Sequence, residues 1–185
     1  MRHSLLSLIF LFAIGAAPLC RAADDKNSPP TRDKAVIDTF QIMCNFEPLN
    51  FDHLDQKATA MQLHVLSNSK APSPGNTVTR SKSWAGADST TGPYALLLDE
   101  MSGAKGKSTG CAIVGDVPDA DAFRTSAVKM MKLPAVPQPE MRGDGSRSYI
   151  WDGFVGPGTT LILRDFKPSG KPGVMLKLLV MERAR

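Results

Sequence analysis

Two histidines with neighbouring acids are the residues whose types and spacing are best suited to chemistry. His53 and His64 lie eleven residues apart, and Asp52 and Asp55 flank the first of them. On one helix this spacing puts both imidazoles on one face but about 16 Å apart, too far for a single zinc ion. A His–Asp pair could assist a nucleophile, but the chain has no Gly-x-Ser-x-Gly elbow. We therefore expect surface histidines and no catalytic residue, metal or cofactor; a small secreted hydrolase using His53 or His64 is an alternative.

The segment 103–110 contains Gly-Lys-Ser, which resembles the end of a phosphate-binding loop. The glycine that the motif requires five residues before Gly106 is Met101 in this chain. The segment also lies between two predicted strands, so no helix N-terminus would point its amides at a phosphate. We expect a hairpin loop here rather than a nucleotide site.

The two tryptophans are the main candidates for binding residues. Trp84 and Trp151 each begin a short motif ending in glycine, and Asp152 follows the second tryptophan. A carboxylate beside an aromatic ring suits ligand recognition, while a tryptophan in a small domain more often packs in the core. Trp84, Trp151 and Asp152 are therefore predicted binding residues, with core packing as the alternative for both rings.

The first 22 residues have the three parts of a secretory signal peptide. Basic Arg2 precedes an apolar run from Leu5 to Leu19, and small residues surround the predicted cleavage site after Ala22. The run is short for a membrane span, and a polar, proline-containing stretch follows it. We predict a signal peptide at 1–22, a flexible leader at 23–32 and one domain at 33–185, in the periplasm or secreted, with no stable membrane span.

Export determines how the cysteines are interpreted. Cys20 falls in the signal peptide, which leaves Cys44 and Cys111 as an even pair in an oxidising compartment. A disulfide between them is the expected state. The competing interpretation is a thiol nucleophile, which would have to remain reduced there.

Hydrophobic periodicity predicts an α+β fold. Three amphipathic helices are indicated, from Asp33 to Phe46, from Phe51 to Val65 and from Asp119 to Lys132. Six strands are predicted at 81–85, 94–99, 111–114, 147–154, 159–166 and 174–181. The last is almost entirely apolar apart from Lys177, which favours a central strand. We expect a mostly antiparallel sheet of about six strands packed against helices. A dimer, or a helix pair that wraps further round the sheet, would explain a covered second face.

The two groups of strands resemble each other. In the first group, Trp84 is followed by Leu96–Leu98, by a Gly/Lys loop and by a further strand. The same order recurs in the second group, where Trp151 is followed by Leu161–Leu163, a Gly/Lys loop and a further strand. Each group follows a helical segment. The hypothesis is a duplicated unit of one helix and three strands, and coincidence is the alternative.

Several short motifs together resemble a group of uncharacterised short exported proteobacterial proteins. The motifs are Phe40-x-x-x-Cys44, Ser83-Trp84, Gly110-Cys111-Ala112-Ile113-Val114, Asp121-Ala122-Phe123 and the late Trp151. The resemblance implies a secreted α+β domain with a Cys44–Cys111 bridge, and it carries no catalytic residue.

Charge and composition favour a binding domain over a nucleic-acid protein. The formal net charge of +4 over 185 residues is far below the basic character of nucleic-acid binders. We expect a non-catalytic domain that binds a partner protein or envelope component through the sheet face or through a groove flanked by Trp84 and Trp151. An anion-binding module is a further alternative, for which the basic residues near the C-terminus are Lys167, Lys171, Arg183 and Arg185.

Overall fold

The computed structural model describes residues 31–44, 49–73, 77–104, 106–167 and 170–183. The predicted signal peptide and nearly all of the predicted leader lie outside these residues. The leader was expected to reach residue 32, but Thr31 already caps the first helix, which begins at Arg32.

Three helices and eight strands follow one another along the chain. They are α1 (Arg32–Met43), α2 (Phe51–Ala60), β1 (His64–Ser73), β2 (Thr77–Asp88), β3 (Gly92–Gly103), β4 (Gly106–Asp116), α3 (Ala120–Met130), β5 (Glu140–Met141), β6 (Arg147–Asp152), β7 (Thr159–Phe166) and β8 (Gly173–Arg183). The prediction of an α+β fold is confirmed. The count of about six strands is wrong, because β1 and β5 were missed.

Local signals explain where α2 begins and ends. The Asn50 side chain accepts a hydrogen bond from the amide of His53 and so caps the first turn. At the other end Gln62 adopts a left-handed conformation (φ 56°), and Leu63 donates to the carbonyl of Ala58. This is a Schellman cap, which stops the helix before His64. The prediction that α2 continues to Val65 is therefore wrong, and the residues beyond the cap form β1.

All eight strands form one antiparallel sheet in the order β1-β2-β3-β4-β8-β7-β6-β5. The first four strands form one meander and the last four form another, and the two meanders meet where β4 pairs with β8. The expected central position of β8 is confirmed. Short β5 and polar β1 are the outer strands, where one side of the backbone ladder has no partner.

Two cross-strand rows make up the sheet's contribution to the core. The first runs across six strands through Trp84, Leu96, Ile113, Leu176, Leu163 and Tyr149, and the second through Lys82, Leu98, Cys111, Leu178, Leu161 and Trp151. All of these except Lys82 are buried, and they join the buried residues of the three helices in one hydrophobic cluster. The helices thus cover one face of the sheet.

The strand register relates the two meanders by an approximate two-fold axis. In one meander Trp84 pairs with Leu96, and in the other Trp151 pairs with Leu161. The reversed strand order brings equivalent positions together at the centre, where Ala112 pairs with Lys177. Each half contains four strands rather than the three expected, and a common origin of the halves remains a prediction.

A disulfide attaches α1 to the centre of the sheet. Cys44 is the C-cap of α1 and Cys111 lies on β4; their sulfurs are 2.07 Å apart and their Cα atoms 5.5 Å apart. Both residues are fully buried. The expected Cys44–Cys111 bridge is present, and it joins residues separated by 67 positions.

Candidate functional site

The two histidines lie on different elements. His53 is on α2, whereas His64 is the first residue of β1, and both are exposed. Among the described residues, neither imidazole has a hydrogen-bond or ion-pair partner. Within the same part of the chain, no group of three or more histidine, cysteine or acidic residues could hold a metal ion. The hydrolase alternative therefore gains no support from this arrangement.

The C-terminal basic residues are spread along the molecule. Lys167 and Lys171 lie in the connection between β7 and β8, while Arg183 is the last residue of β8. An eleven-residue strand is about 33 Å long, so Arg183 lies at the opposite end of the sheet. Arg185 is outside the described residues. The three described residues do not form one anion site.

The segment 103–110 contains the turn of the β3–β4 hairpin, as expected, but Gly106-Lys107-Ser108 is part of β4 rather than of a loop. Gly103 pairs with Gly106 across the turn, and Lys107 forms an ion pair with Glu100 (2.6 Å). The segment opens a strand and not a helix. Lys107 is therefore part of a salt-bridge cluster on the sheet.

This cluster joins α2 to the first meander. The Arg80 guanidinium donates to Glu100 (2.8 Å) and to Asp52 (2.8 Å), and it stacks 4.0 Å from the Phe51 ring centre. Burial alone would raise the pKa of Glu100, but its hydrogen bonds to Arg80 and Lys107 outweigh burial and lower that pKa. The hydrogen bond from Arg80 likewise lowers the pKa of Asp52. These charges neutralise one another and hold the helix on the sheet.

A second cluster occupies the equivalent place in the other meander. Arg147 pairs with Asp165 (2.8 Å) on the adjacent strand and with Asp121 (3.1 Å) in the first turn of α3. The hydrogen bond to Asp165 raises the pKa of Arg147. Asp121 and Asp52 are both the second residue of their helix. Neither cluster was predicted from the sequence, although a helix-start Asp, an Arg and an acid recur in the same order, separated by 28 and 20 residues in the first cluster and by 26 and 18 in the second.

The tryptophans are far apart and differ in their surroundings. Trp84 is 0% exposed on β2, with the Lys82 ammonium 5.2 Å from its ring centre. Trp151 is on β6, five strand spacings or about 24 Å away, so the two rings do not line one groove. Both indole Nε1 atoms are buried, and neither has a hydrogen-bond partner in the described part of the structure.

Trp151 lines a cleft of about 630 Å³ between the end of α3 and the β6–β7 hairpin. Its lining residues are Met131, Lys132, Pro134, Ile150, Trp151, Asp152, Gly153, Phe154 and Val155. Most are apolar, and Lys132 and Asp152 place one positive and one negative charge at the exposed rim. Asp152 accepts a hydrogen bond from the Thr160 hydroxyl (2.8 Å). The sequence pointed to Trp151 and Asp152, but not to the α3 wall, because the helix meets the hairpin only in three dimensions.

The cleft lies beside an open edge of the sheet. β5 pairs only with Arg147 and Ser148, so 149–152 of β6 have no strand partner on their outer side in the described residues. In the segment between α3 and β5, Pro134 lines the cleft and Pro137 and Pro139 follow it; none of the three has a backbone N–H with which to pair with β6. Among the described residues, the outer side of 149–152 therefore makes no strand pairing, and this edge borders the apolar cleft.

No protein-family model, curated protein or solved structure matches the chain. Among the described residues, no helix is long and apolar enough to cross a membrane.

Proposed function

We propose that this chain is a non-catalytic, exported binding domain that takes an extended, uncharged segment of a partner protein into the cleft at Trp151. The observation that carries the proposal is the Trp151 indole. Its ring is 5% exposed, it lines the cleft, and its Nε1 has no partner among the described residues. A buried donor without an acceptor costs free energy, and a ligand that supplies an acceptor removes that cost.

Three features favour a peptide over a small charged ligand. The open edge of β6 offers backbone groups at the spacing of a strand, which is the basis of recognition by β-strand addition. The apolar walls suit a side chain of the added strand, and a peptide carbonyl is an acceptor for the Trp151 N–H. Because Lys132 and Asp152 place opposite charges at the rim, the cleft favours a ligand that has no net charge.

Two observations support the exported location. The N-terminal 22 residues have the pattern of a signal peptide, and the buried Cys44–Cys111 bridge is a form that persists in oxidising compartments. The proposal therefore places the partner in the periplasm or outside the cell.

The chain offers a sharp test, because Trp84 and Trp151 are its two tryptophans. In the Trp84→Phe variant, the remaining indole reports on the cleft. In the Trp151→Phe variant, the remaining indole is Trp84, which is fully buried on β2, does not line the cleft and also has an Nε1 without a described partner. The probe is a panel of seven-residue, acetylated and amidated peptides that alternate threonine with one apolar residue type, labelled for anisotropy measurements.

At least one panel peptide is expected to bind and to change the emission of Trp84→Phe without changing that of Trp151→Phe. Loss of one hydrogen bond should weaken binding to Trp151→Phe by about two- to tenfold, while Trp84→Phe keeps wild-type affinity. Peptides of the same composition with proline at alternate positions should not bind, since they lack the amides for strand addition. Absence of binding by the whole panel, or equal effects of the two substitutions, would refute the proposal.

A further inference from the structure

The face of the sheet away from the helices carries an apolar surface, here named the open sheet face. It is defined by the half-buried side chains of Leu97, Val114, Ile162, Met175 and Leu179 on the four central strands. Met101 and Met181 extend it on the same face and are 50% and 53% exposed. An apolar surface of this extent on a small domain is typical of a protein interface.

One ion pair crosses the middle of the open sheet face. The Lys177 ammonium on β8 donates to the Asp99 carboxylate on β3 (2.7 Å), and the two side chains are 24% and 41% exposed. They meet over Gly110 of the intervening β4. A Cβ atom at Gly110 would lie 2.7 Å from Lys177 Cε and 2.8 Å from the Asp99 oxygens. The glycine therefore leaves the space that this pair occupies.

We propose that the open sheet face is the interface with a second copy of this chain. A surface in a two-fold dimer must be its own complement. A two-fold axis lying along β4 over Gly110 exchanges the β3 side of one copy with the β8 side of the other. The Asp99 carboxylate of each copy then lies opposite the Lys177 ammonium of the other copy, so the two ion pairs lie over each other with their charges reversed. The apolar side chains around them meet side chains of the same kind.

The charge balance of the face favours this occupant. Asp99 and Lys177 neutralise each other, and Arg164 on the neighbouring strand pairs with Asp144. The centre of the open sheet face thus has no excess charge that would repel an identical surface or select an oppositely charged protein.

The area also suits a dimer. The uncovered side of the sheet from β2 to β6, of which the open sheet face is the apolar centre, spans five strand spacings; four alternating positions cover about 25 Å along each strand, which gives roughly 600 Å² per copy. The total of roughly 1,200 Å² is at the lower limit for specific, stable interfaces. Two antiparallel sheets related in this way are aligned, the usual arrangement of packed sheets.

Sedimentation equilibrium of the exported, disulfide-bonded protein tests the proposal. Wild type is expected to associate as a dimer at micromolar concentration. Ile162→Glu puts an unpaired charge in the interface and should raise the dimer dissociation constant by about a hundredfold or more. Ile42→Glu is the matched control, because Ile42 is 58% exposed on α1, on the covered side of the sheet. A monomeric wild type, or equal effects of the two substitutions, would overturn the proposal.

The ion pair between Asp99 and Lys177 gives a second test, whose expected result could not come from a variant that fails to fold. Asp99→Asn leaves Lys177 charged and unpaired in a buried interface, so the dissociation constant should rise by about a hundredfold or more. Adding Lys177→Met removes that charge and should restore dimerisation, although the double variant has lost more of the native interactions. If the double variant dissociates as readily as Asp99→Asn, the assignment of this face is wrong. Trp151→Phe should leave the dimer intact, which separates this inference from the proposed peptide site.

Discussion

The disulfide between Cys44 and Cys111 allows a quantitative prediction, because it closes a long loop and both cysteines are fully buried. Reduction of the wild-type protein removes the covalent link but keeps both sulfur atoms in the core. Replacement of both cysteines by alanine removes the link and the sulfur atoms together. Comparison of the three forms separates the contribution of the cross-link from that of packing.

The magnitude follows from the separation of 67 residues. In the chain-entropy model, closing a loop of this length lowers the entropy of the unfolded chain by an amount worth about 4 kcal/mol at 25 °C. The reduced protein should therefore be about 4 kcal/mol less stable to unfolding than the oxidised protein. For a chain of this size the corresponding fall in Tm is roughly 8–16 °C. The double alanine variant should lose a further 1–2 kcal/mol or so, since two buried sulfurs leave small cavities.

Urea denaturation followed by far-UV circular dichroism measures all three forms. The slope of the free energy of unfolding against urea should be steeper for the reduced protein, because its unfolded chain exposes more surface. The core of α1, including Phe40 and Met43, should remain packed in each folded form. A reduced protein within about 1 kcal/mol of the oxidised one would contradict the loop-closure argument.

Three further predictions concern single residues. Glu100→Gln should lower the free energy of unfolding at pH 7 by about 1–2 kcal/mol through lost charged hydrogen bonds. The pKa of Glu100 is lowered in the folded state, so this stabilisation is complete above the unfolded-state pKa of about 4.3 and disappears as the pH falls through the folded-state pKa. Urea denaturation at several pH values between 2 and 7 should show that the stability difference between wild type and Glu100→Gln becomes small in acid. Gly158→Ala should destabilise by about 2 kcal/mol or more in urea, because φ is +79° and a Cβ would lie 2.7 Å from the Met181 carbonyl oxygen. Gln62→Gly should raise Tm by a few degrees, because glycine relieves the left-handed cap at φ 56°; an unchanged or lower Tm would contradict this.

Prediction from sequence succeeded where local patterns were strong and failed at the edges of the sheet. The apolar spacing of α1 and α3 and the apolar runs of β7 and β8 matched their final positions, since each element buries a continuous stripe or face. β1 was missed because it is polar, contains Pro72 and is exposed on both faces, so alternation gave no signal. β5 has two residues, too few for any periodicity.

The sequence by itself determined the α+β class, the pairing of Cys44 with Cys111 and the choice of Trp151 and Asp152 as candidate binding residues. These depend on residue type, number and local spacing. Only the tertiary structure decided that the tryptophans lie about 24 Å apart, that α3 forms the second wall of the cleft and that Lys177 meets Asp99 over Gly110. Lys177 and Asp99 are 78 residues apart, and their contact depends on the order and register of three strands. Strand order and register are set by the packing of the whole sheet on its helices, which no local pattern of residues encodes.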